Sequence, residues 1–287
     1  MLKASLEYVQ SSGNHAFLLR NFGAEAFEAP YHFHPEYELT YITQGSGKRY
    51  VGSHMNNFGP DDLVLVGPNV PHCWKLEALP GEQPAAAVVI QFSAEMLGEK
   101  LLEKREMDAI RKLLNRARAG IAFSESISMQ LGGALRSLPD KAGFYGFIEF
   151  LEILQHLAED DMCTVFDQDN AIAMQTLAEQ QRMAPVFGYL VEHFRSRVSL
   201  KEVAAIAHMT PQAFCKYFKK ITRKTFMDTV MEYRLNYATQ QLIQTDKAVA
   251  DIAFESGFAD VSFFYRTFKK KTKLSPLHYR RQFMTQV

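Results

Sequence analysis

The chain has 287 residues, of which 47% are hydrophobic and 22% charged, with 32 basic against 32 acidic side chains. That composition excludes a disordered chain, and no uninterrupted apolar run reaches the roughly 18 residues that cross a membrane. Three widely spaced cysteines, Cys73, Cys163 and Cys215, exclude a disulfide scaffold and point to free thiols in a reducing compartment.

The N-terminus lacks the apolar core of a signal peptide, so a cytoplasmic location is expected. From about residue 14 to residue 92, short β-branched or aromatic runs alternate with turn residues. The runs are Leu39 to Ile42, Lys48 to Val51, Leu63 to Val66 and Ala87 to Phe92, and Gly45, Gly47, Gly59, Pro60, Gly67 and Pro68 punctuate them. Such spacing predicts a small antiparallel barrel or sandwich.

Within this region His32, His34 and Glu38 fall on a strand and its approach, and His72 follows the turn Gly67 to Pro71. Alternation along a strand directs His32, His34 and Glu38 to one face, with His72 arriving from a later strand. Three imidazoles and one carboxylate suit a divalent transition metal. They equally suit the lining of a pocket for a small organic effector, and the residues leave both readings open. Trp74, the single tryptophan, either lines the same cavity with Tyr41, Arg49 and Tyr50 or is simple core or rim packing, and the residues leave both open.

Beyond Phe92 the pattern becomes helical, over residues 93–119 and again from about Phe144 to Ala158. These helices, spanning about 93–160, either cover the edge of the barrel or build a homodimer contact. Residues 166–182, with Asp167, Asp169 and a Gln-rich patch, read as a linker. The expected domains are therefore 1–165, a sensing domain, and 183–287, a helical one. Up to Gln180 there are 14 basic against 24 acidic residues, a net of −10, whereas from Gln181 onward the count is 18 against 8, a net of +10. The neutral total is a cancellation, and the field of each part, rather than their sum, governs what it binds.

The basic part repeats itself. Val203 and Ala204 match Ile252 and Ala253 at an offset of 49, while Phe214, Phe218, Lys219, Lys220 and Thr222 match Phe264, Phe268, Lys269, Lys270 and Thr272 at an offset of 50. Each copy predicts helix, tight turn, helix: Leu200 to His208 with Thr210 to Ile221, then Ala248 to Ser256 with Asp260 to Lys271. Thr210 and Asp260 suit N-caps, Pro211 the first helical position and Gly257 the bend. On a helical wheel Phe214, Phe218 and Ile221 form a buried stripe opposite Gln212, Lys216, Lys219 and Arg223. In the second copy Phe264 and Phe268 stand opposite Ser262, Arg266, Lys269 and Lys273. An aromatic inner face with a basic and amide outer face is what a major-groove reader needs. Cys215, at the margin of that face, is expected to be a half-buried packing residue. Between the copies, Phe226 to Thr245 predicts one helix about 30 Å long, close to the roughly 34 Å between successive major grooves.

These last hundred residues resemble the DNA-binding domain of the AraC/XylS family of transcriptional regulators. The residues that carry the resemblance are Arg234, Ala238, Leu242 and Ile243; Ile252, Ala253, Gly257 and Phe258; Phe264, Arg266, Phe268, Lys269 and Lys270; and Ser275, Pro276, Tyr279 and Arg280. The resemblance implies promoter DNA and RNA polymerase as partners, a homodimer, and base reading by Gln212 and Lys216 and by Ser262 and Arg266. Arg223 and Lys273 stand where such proteins commonly carry glycine. The N-terminal motif resembles a cupin, with departures in its second half: Asp61 and Asn69 replace glycines, Gly67 takes the proline position, and no Asn lies four residues past His72.

The expected architecture is thus multi-domain β plus α: a cupin-like barrel with flanking helices, then an all-α domain with two helix-turn-helix motifs. The expected function is regulation of transcription under an effector or metal in the barrel, without catalytic residues. The alternative is a metal-dependent cupin enzyme with an appended helical domain.

Overall fold

The computed structural model describes residues 16–24, 27, 29, 31–52, 54–76, 84–141, 143–166 and 176–283. It divides into two compact units, Met1–Ala184 and Pro185–Val287. Asp167 and Asp169, expected in the linker, lie outside the described residues. Helix α5 (Leu177–His193) begins inside the stretch expected to be linker.

Among the described residues of the first unit nine strands form two antiparallel sheets. These are β1 (Phe17–Phe22), β2 (Tyr37–Gln44), β3 (Gly47–Val51), β4 (His54–Phe58), β5 (Leu63–Val66), β6 (His72–Leu76), β7 (Ala86–Phe92), β8 (Ile121–Ala122) and β9 (Thr164–Val165). The order is β1-β7-β2-β5-β8-β9 in one sheet and β4-β3-β6 in the other. Among the described residues the barrel is not closed by strand pairing. An isolated bridge between His32 and His72 ties the approach to β2 onto β6.

Strand β2 is buried on both faces, and its period of two divides the work between them. Tyr37, Leu39 and Tyr41 join Val88, Ile90 and Phe92 of β7 in a core shared with the helices α2 (Asp108–Ala117) and α4 (Gly143–Ala158). Ile42, Ala87 and Val89 face instead a second core with Phe27, Val66 and Trp74. The register sets Glu38 opposite Gln91 and Thr40 opposite Val89 on that same face. The expected helical stretch 93–119 contains short α1 (Glu99–Leu102) and α2, separated by irregular turns. Helix α3 (Glu125–Ser137) was hidden in the sequence by Gly132 and Gly133. Gly132 is required there because a Cβ would strike the Tyr41 hydroxyl.

The second unit contains the rest of α5 and then α6 (Leu200–Ile206), α7 (Pro211–Thr222), α8 (Phe226–Gln244), α9 (Val249–Glu255), α10 (Val261–Thr272) and α11 (Pro276–Phe283). The Thr210 hydroxyl accepts from the Ala213 amide and the Asp260 carboxylate from the Phe263 amide, so both second helices are capped alike. The turns repeat as well. Met209 N–H donates to Ala204 O at 2.9 Å and Phe258 N–H to Ala253 O at 3.0 Å, the six-to-one bond of a Schellman ending. The left-handed residue is His208 (φ 56°) in the first turn and Gly257 (φ 88°) in the second. Phe214 and Phe218 pack with Phe226 in one half, while Phe264 and Phe268 pack with Leu242 and Ile252 in the other.

Two arginines of the family-like pattern have structural work. Arg234 on α8 donates to Phe194 O (2.7 Å) and Ser196 O (2.8 Å), just beyond the end of α5. Arg280 on α11 donates to Leu242 O (3.2 Å) and Lys247 O (2.6 Å), at the end of α8 and in the loop that follows. Each supplies cationic donors to carbonyls that a helix end leaves without intrahelical partners.

Candidate functional site

The outer faces of α7 and α10 carry the side chains expected to read DNA. Gln212, Lys216 and Lys219 are exposed on α7, and Ser262, Arg266 and Lys269 are exposed on α10, while Phe214, Phe218, Phe264 and Phe268 are fully buried behind them. Cys215 is exposed, which corrects the expectation of a half-buried packing residue. The buried stripe of α7 is narrow, limited to Phe214, Phe218 and Ile221, and Cys215 falls outside it. Arg223 (φ 60°) and Lys273 (φ 65°) end these helices in left-handed backbone. Behind each, a threonine repeats the same contacts: the Thr222 hydroxyl donates to Phe218 O and the Thr272 hydroxyl to Phe268 O, both at 2.9 Å.

In the first unit His32, His34, Glu38 and His72 come together. One ligand atom from each lies within 4.8 Å of the others, and all four residues are buried. His34 Nε2 is 3.0 Å from Glu38 Oε2, and His72 Nε2 is 3.5 Å from Glu38 Oε1. Two polar neighbours escaped the sequence reading. The Thr40 hydroxyl donates to Glu38 Oε1 at 2.8 Å and Gln91 Nε2 donates to Glu38 Oε2 at 2.9 Å. Burial alone pushes the Glu38 carboxyl up, but the imidazoles of His72 and His34 outweigh it and hold the group well below its usual range.

The tautomer of His72 bears on what the quartet can hold. Its Nδ1 lies 2.7 Å from Val70 O, a group that only accepts, so Nδ1 carries the proton. In the neutral ring Nε2 then presents a lone pair toward the Glu38 carboxylate, and Nε2 is buried without a hydrogen-bond partner. Across 3.5 Å these two groups attract only with positive charge between them, supplied either by a proton on Nε2 or by a bound cation. A metal-ligating histidine held by its other nitrogen on a backbone carbonyl is the usual arrangement. Opposite donors on an octahedral transition metal are about 4.2 Å apart, so these residues fit such an ion after a contraction of well under about 1 Å.

Beside the quartet lies a cavity of about 110 Å³ lined by His32, Glu38, Thr40, Trp74 and Gln91 together with apolar Phe22, Phe27, Ile42, Ala87 and Val89. Trp74 both lines this cavity and packs in the second core, with its ring 5.6 Å from that of His72. Arg49 does not, and the expectation that it lines the cavity is corrected. It is drawn into an ion pair with Asp62 and lies 5.1 Å from the centre of the Phe166 ring. A buried guanidinium needs the nearest carboxylate more than it needs a cavity. Tyr41 faces the helices, where its hydroxyl donates to Asp61, and Tyr50 alternates with Arg49 on β3 and so takes the face opposite Trp74.

Residues 14–145 match the family described as the AraC-like ligand binding domain, and residues 203–282 match a helix-turn-helix domain family. The bifunctional transcriptional activator/DNA repair enzyme AdaA of Bacillus subtilis is 36% identical over 92 residues, 32% of this chain and 44% of that protein. The MmsAB operon regulatory protein of Pseudomonas aeruginosa is 32% identical over 94 residues, 33% of this chain and 31% of that protein. Among solved structures, the DNA-binding domain of AdpA in complex with a target DNA is 23% identical, covering 37% of this chain and 95% of that one, with a TM-score of 0.35. The chain thus spans less than half the length of these curated relatives. The first unit thus matches the AraC-like ligand binding domain family over most of its length, and the second a helix-turn-helix domain family over most of its own.

Proposed function

We propose that the chain is a sequence-specific, DNA-binding regulator of transcription whose affinity for promoter DNA is set by what the first unit binds. The carrying observation is the repeat: two helix-turn-helix copies with the same caps and turn bonds, each exposing basic and polar side chains opposite a buried phenylalanine pair. Gln212 and Lys216, and Ser262 and Arg266, read base edges, while Lys219 and Lys269 meet phosphates. Helix α8, with 19 residues, is about 28 Å long, a strut suited to two adjacent major grooves.

The quartet His32, His34, Glu38 and His72 holds a divalent transition metal, and the cavity beside it takes a small-molecule effector, with Trp74 in its wall. Control requires only that the effector bind two states of the protein with different affinity. Exposed Met129, Phe144 and Tyr145 on α3 and α4 support a homodimer through residues 93–160. RNA polymerase is the further partner, and the cytoplasm the compartment. Among the described residues no helix is long and apolar enough to cross a membrane. The reading as a cupin enzyme with an appended helical domain has only the quartet behind it, and both family matches describe other work.

The test is selection of genomic fragments by the full chain, followed by hydroxyl-radical footprinting. Two protected tracts centred about 10 base pairs apart are expected. Retention without any discrete footprint would refute sequence-specific binding.

A further inference from the structure

The cavity beside the quartet contains polar atoms with no partner. Trp74 Nε1 and Gln91 Oε1 are buried without a hydrogen bond, on side chains only 7% and 4% exposed, and both side chains line the cavity. Leaving such a group unsatisfied costs about 1–3 kcal/mol, so a pair of them around one cavity marks where a ligand's polar groups go. The amide of Gln91 cannot be turned round to escape this. Its Nε2 donates to the Glu38 carboxylate, and a flip would set two acceptors against each other. The site therefore offers one donor, from the indole, and requires one donor in return, at Gln91 Oε1.

Size and charge narrow the class. A cavity of about 110 Å³ is smaller than the roughly 150 Å³ that admits benzene, which limits the ligand to about two or three carbons with their oxygens. Ile42, Val89 and Phe27 form an apolar wall for a short alkyl tail, and no Lys or Arg lines the cavity among the described residues. Four donors fill four of the six positions of an octahedral ion and leave two open to a carboxylate, while Glu38 in the quartet and Glu36, 3.5 Å from His34 Nδ1, offset the ion's own charge. Without the ion the charged group that an anion meets in the cavity wall is the Glu38 carboxylate.

Building on the metal site proposed above, we infer that the effector is a short-chain 2-hydroxy carboxylic acid. Its carboxylate faces the ion, Trp74 Nε1–H donates to one of its oxygens, its hydroxyl donates to Gln91 Oε1, and its tail lies on Ile42 and Val89. Acid binding then depends on the ion, and the hydroxyl separates the true ligand from a plain acid of the same length.

The experiment uses the full chain, first stripped with a chelator and then titrated with cobalt(II) while visible absorption is followed. The cobalt form is next titrated calorimetrically with 2-hydroxypropanoate, propanoate, 1,2-propanediol and propylamine. One cobalt per chain is expected. So is a change in its spectrum with 2-hydroxypropanoate, at least about tenfold tighter binding than propanoate, and no binding of the acid to the stripped chain. Trp74→Phe, which leaves the quartet and Gln91 intact, is expected to weaken the hydroxy acid about tenfold, and Gln91→Leu to abolish the preference over propanoate. Failure to bind cobalt would overturn the metal site and this inference with it. One cobalt per chain with no spectral or calorimetric response to the hydroxy acid, or with the diol or amine bound as tightly, would overturn this inference alone.

Discussion

Asp61 (φ 64°) and Asn69 (φ 59°) show how a departure from a motif resolves at the level of one residue. Both stand where the cupin-like pattern carries glycine, and both take up the left-handed backbone that glycine would have supplied, as Asp and Asn do more readily than other residues. Arg223 and Lys273 do the same at the ends of α7 and α10 without that predisposition. Each left-handed non-glycine residue costs about 1 kcal/mol, and a cation there gains at most part of that from the helix C-terminus. Keeping charge at the expense of strain fits a role on phosphates. Arg223→Gly and Lys273→Gly are therefore each expected to raise the unfolding midpoint by a few degrees and to weaken DNA binding. Thermal unfolding and fluorescence anisotropy measure the two effects, and a lower midpoint would show that the strain is already compensated. At this scale the residue types disclosed the His32, His34, Glu38 and His72 set, although bends at 35 and 36 interrupt the strand alternation expected from His32 to Glu38, and it is the bridge between His32 and His72 that brings the last member in. Thr40 and Gln91 were not found. Gln91 is a lone polar residue in an apolar run, and only the pairing of β2 with β7 brings it to Glu38.

Among the elements, α8 is more than a spacer. Glu232 on it accepts from Lys224 at 2.8 Å, in the turn after α7, and from Lys271 at 2.9 Å, on α10. A single carboxylate thus links both halves of the repeat to the strut. Burial pushes Glu232 up, but its bonds to Lys224 and Lys271 more than offset this, and the carboxyl is held below its usual 4.5. A depressed folded-state value means stability that is present above pH 4.5 and is lost as pH falls through the folded value. Since Lys271 is exposed and Lys224 partly so, Glu232→Gln is expected to cost only about 1 kcal/mol at pH 7. It should also flatten the acid limb of the stability profile below about pH 4.5. Thermal unfolding of both proteins across pH 3 to 7 reads this directly, and parallel profiles would contradict it. The repeat, the caps Thr210 and Asp260 and the strut were legible because helix signals are local. Helix α3 was not, since its two glycines mask a helical face, nor was α11, whose start at Pro276 reads equally as a loop. The pairing of the described strands into two sheets depends on contacts distant in sequence, which periodicity does not encode.

For the whole molecule, the neutral charge reports nothing until it is divided. A net of −10 up to Gln180 and +10 beyond it separates a sensing unit from one that attracts an anionic polymer. If Lys219, Arg223, Lys269 and Lys273 each neutralise a phosphate, log affinity for DNA is expected to fall against log salt with a slope near about −4. A salt-independent complex would contradict an interface built on these cations. The central claim, that α7 and α10 read bases, is tested most directly by fluorescence anisotropy of the full chain on its tightest genomic fragment. The comparison is with Lys216→Ala and Arg266→Ala, each first shown by circular dichroism to be folded. Each substitution is predicted to weaken binding by about 1–3 kcal/mol and to relax discrimination at the bases it contacts. Unchanged affinity and unchanged sequence preference in both folded variants would contradict the account.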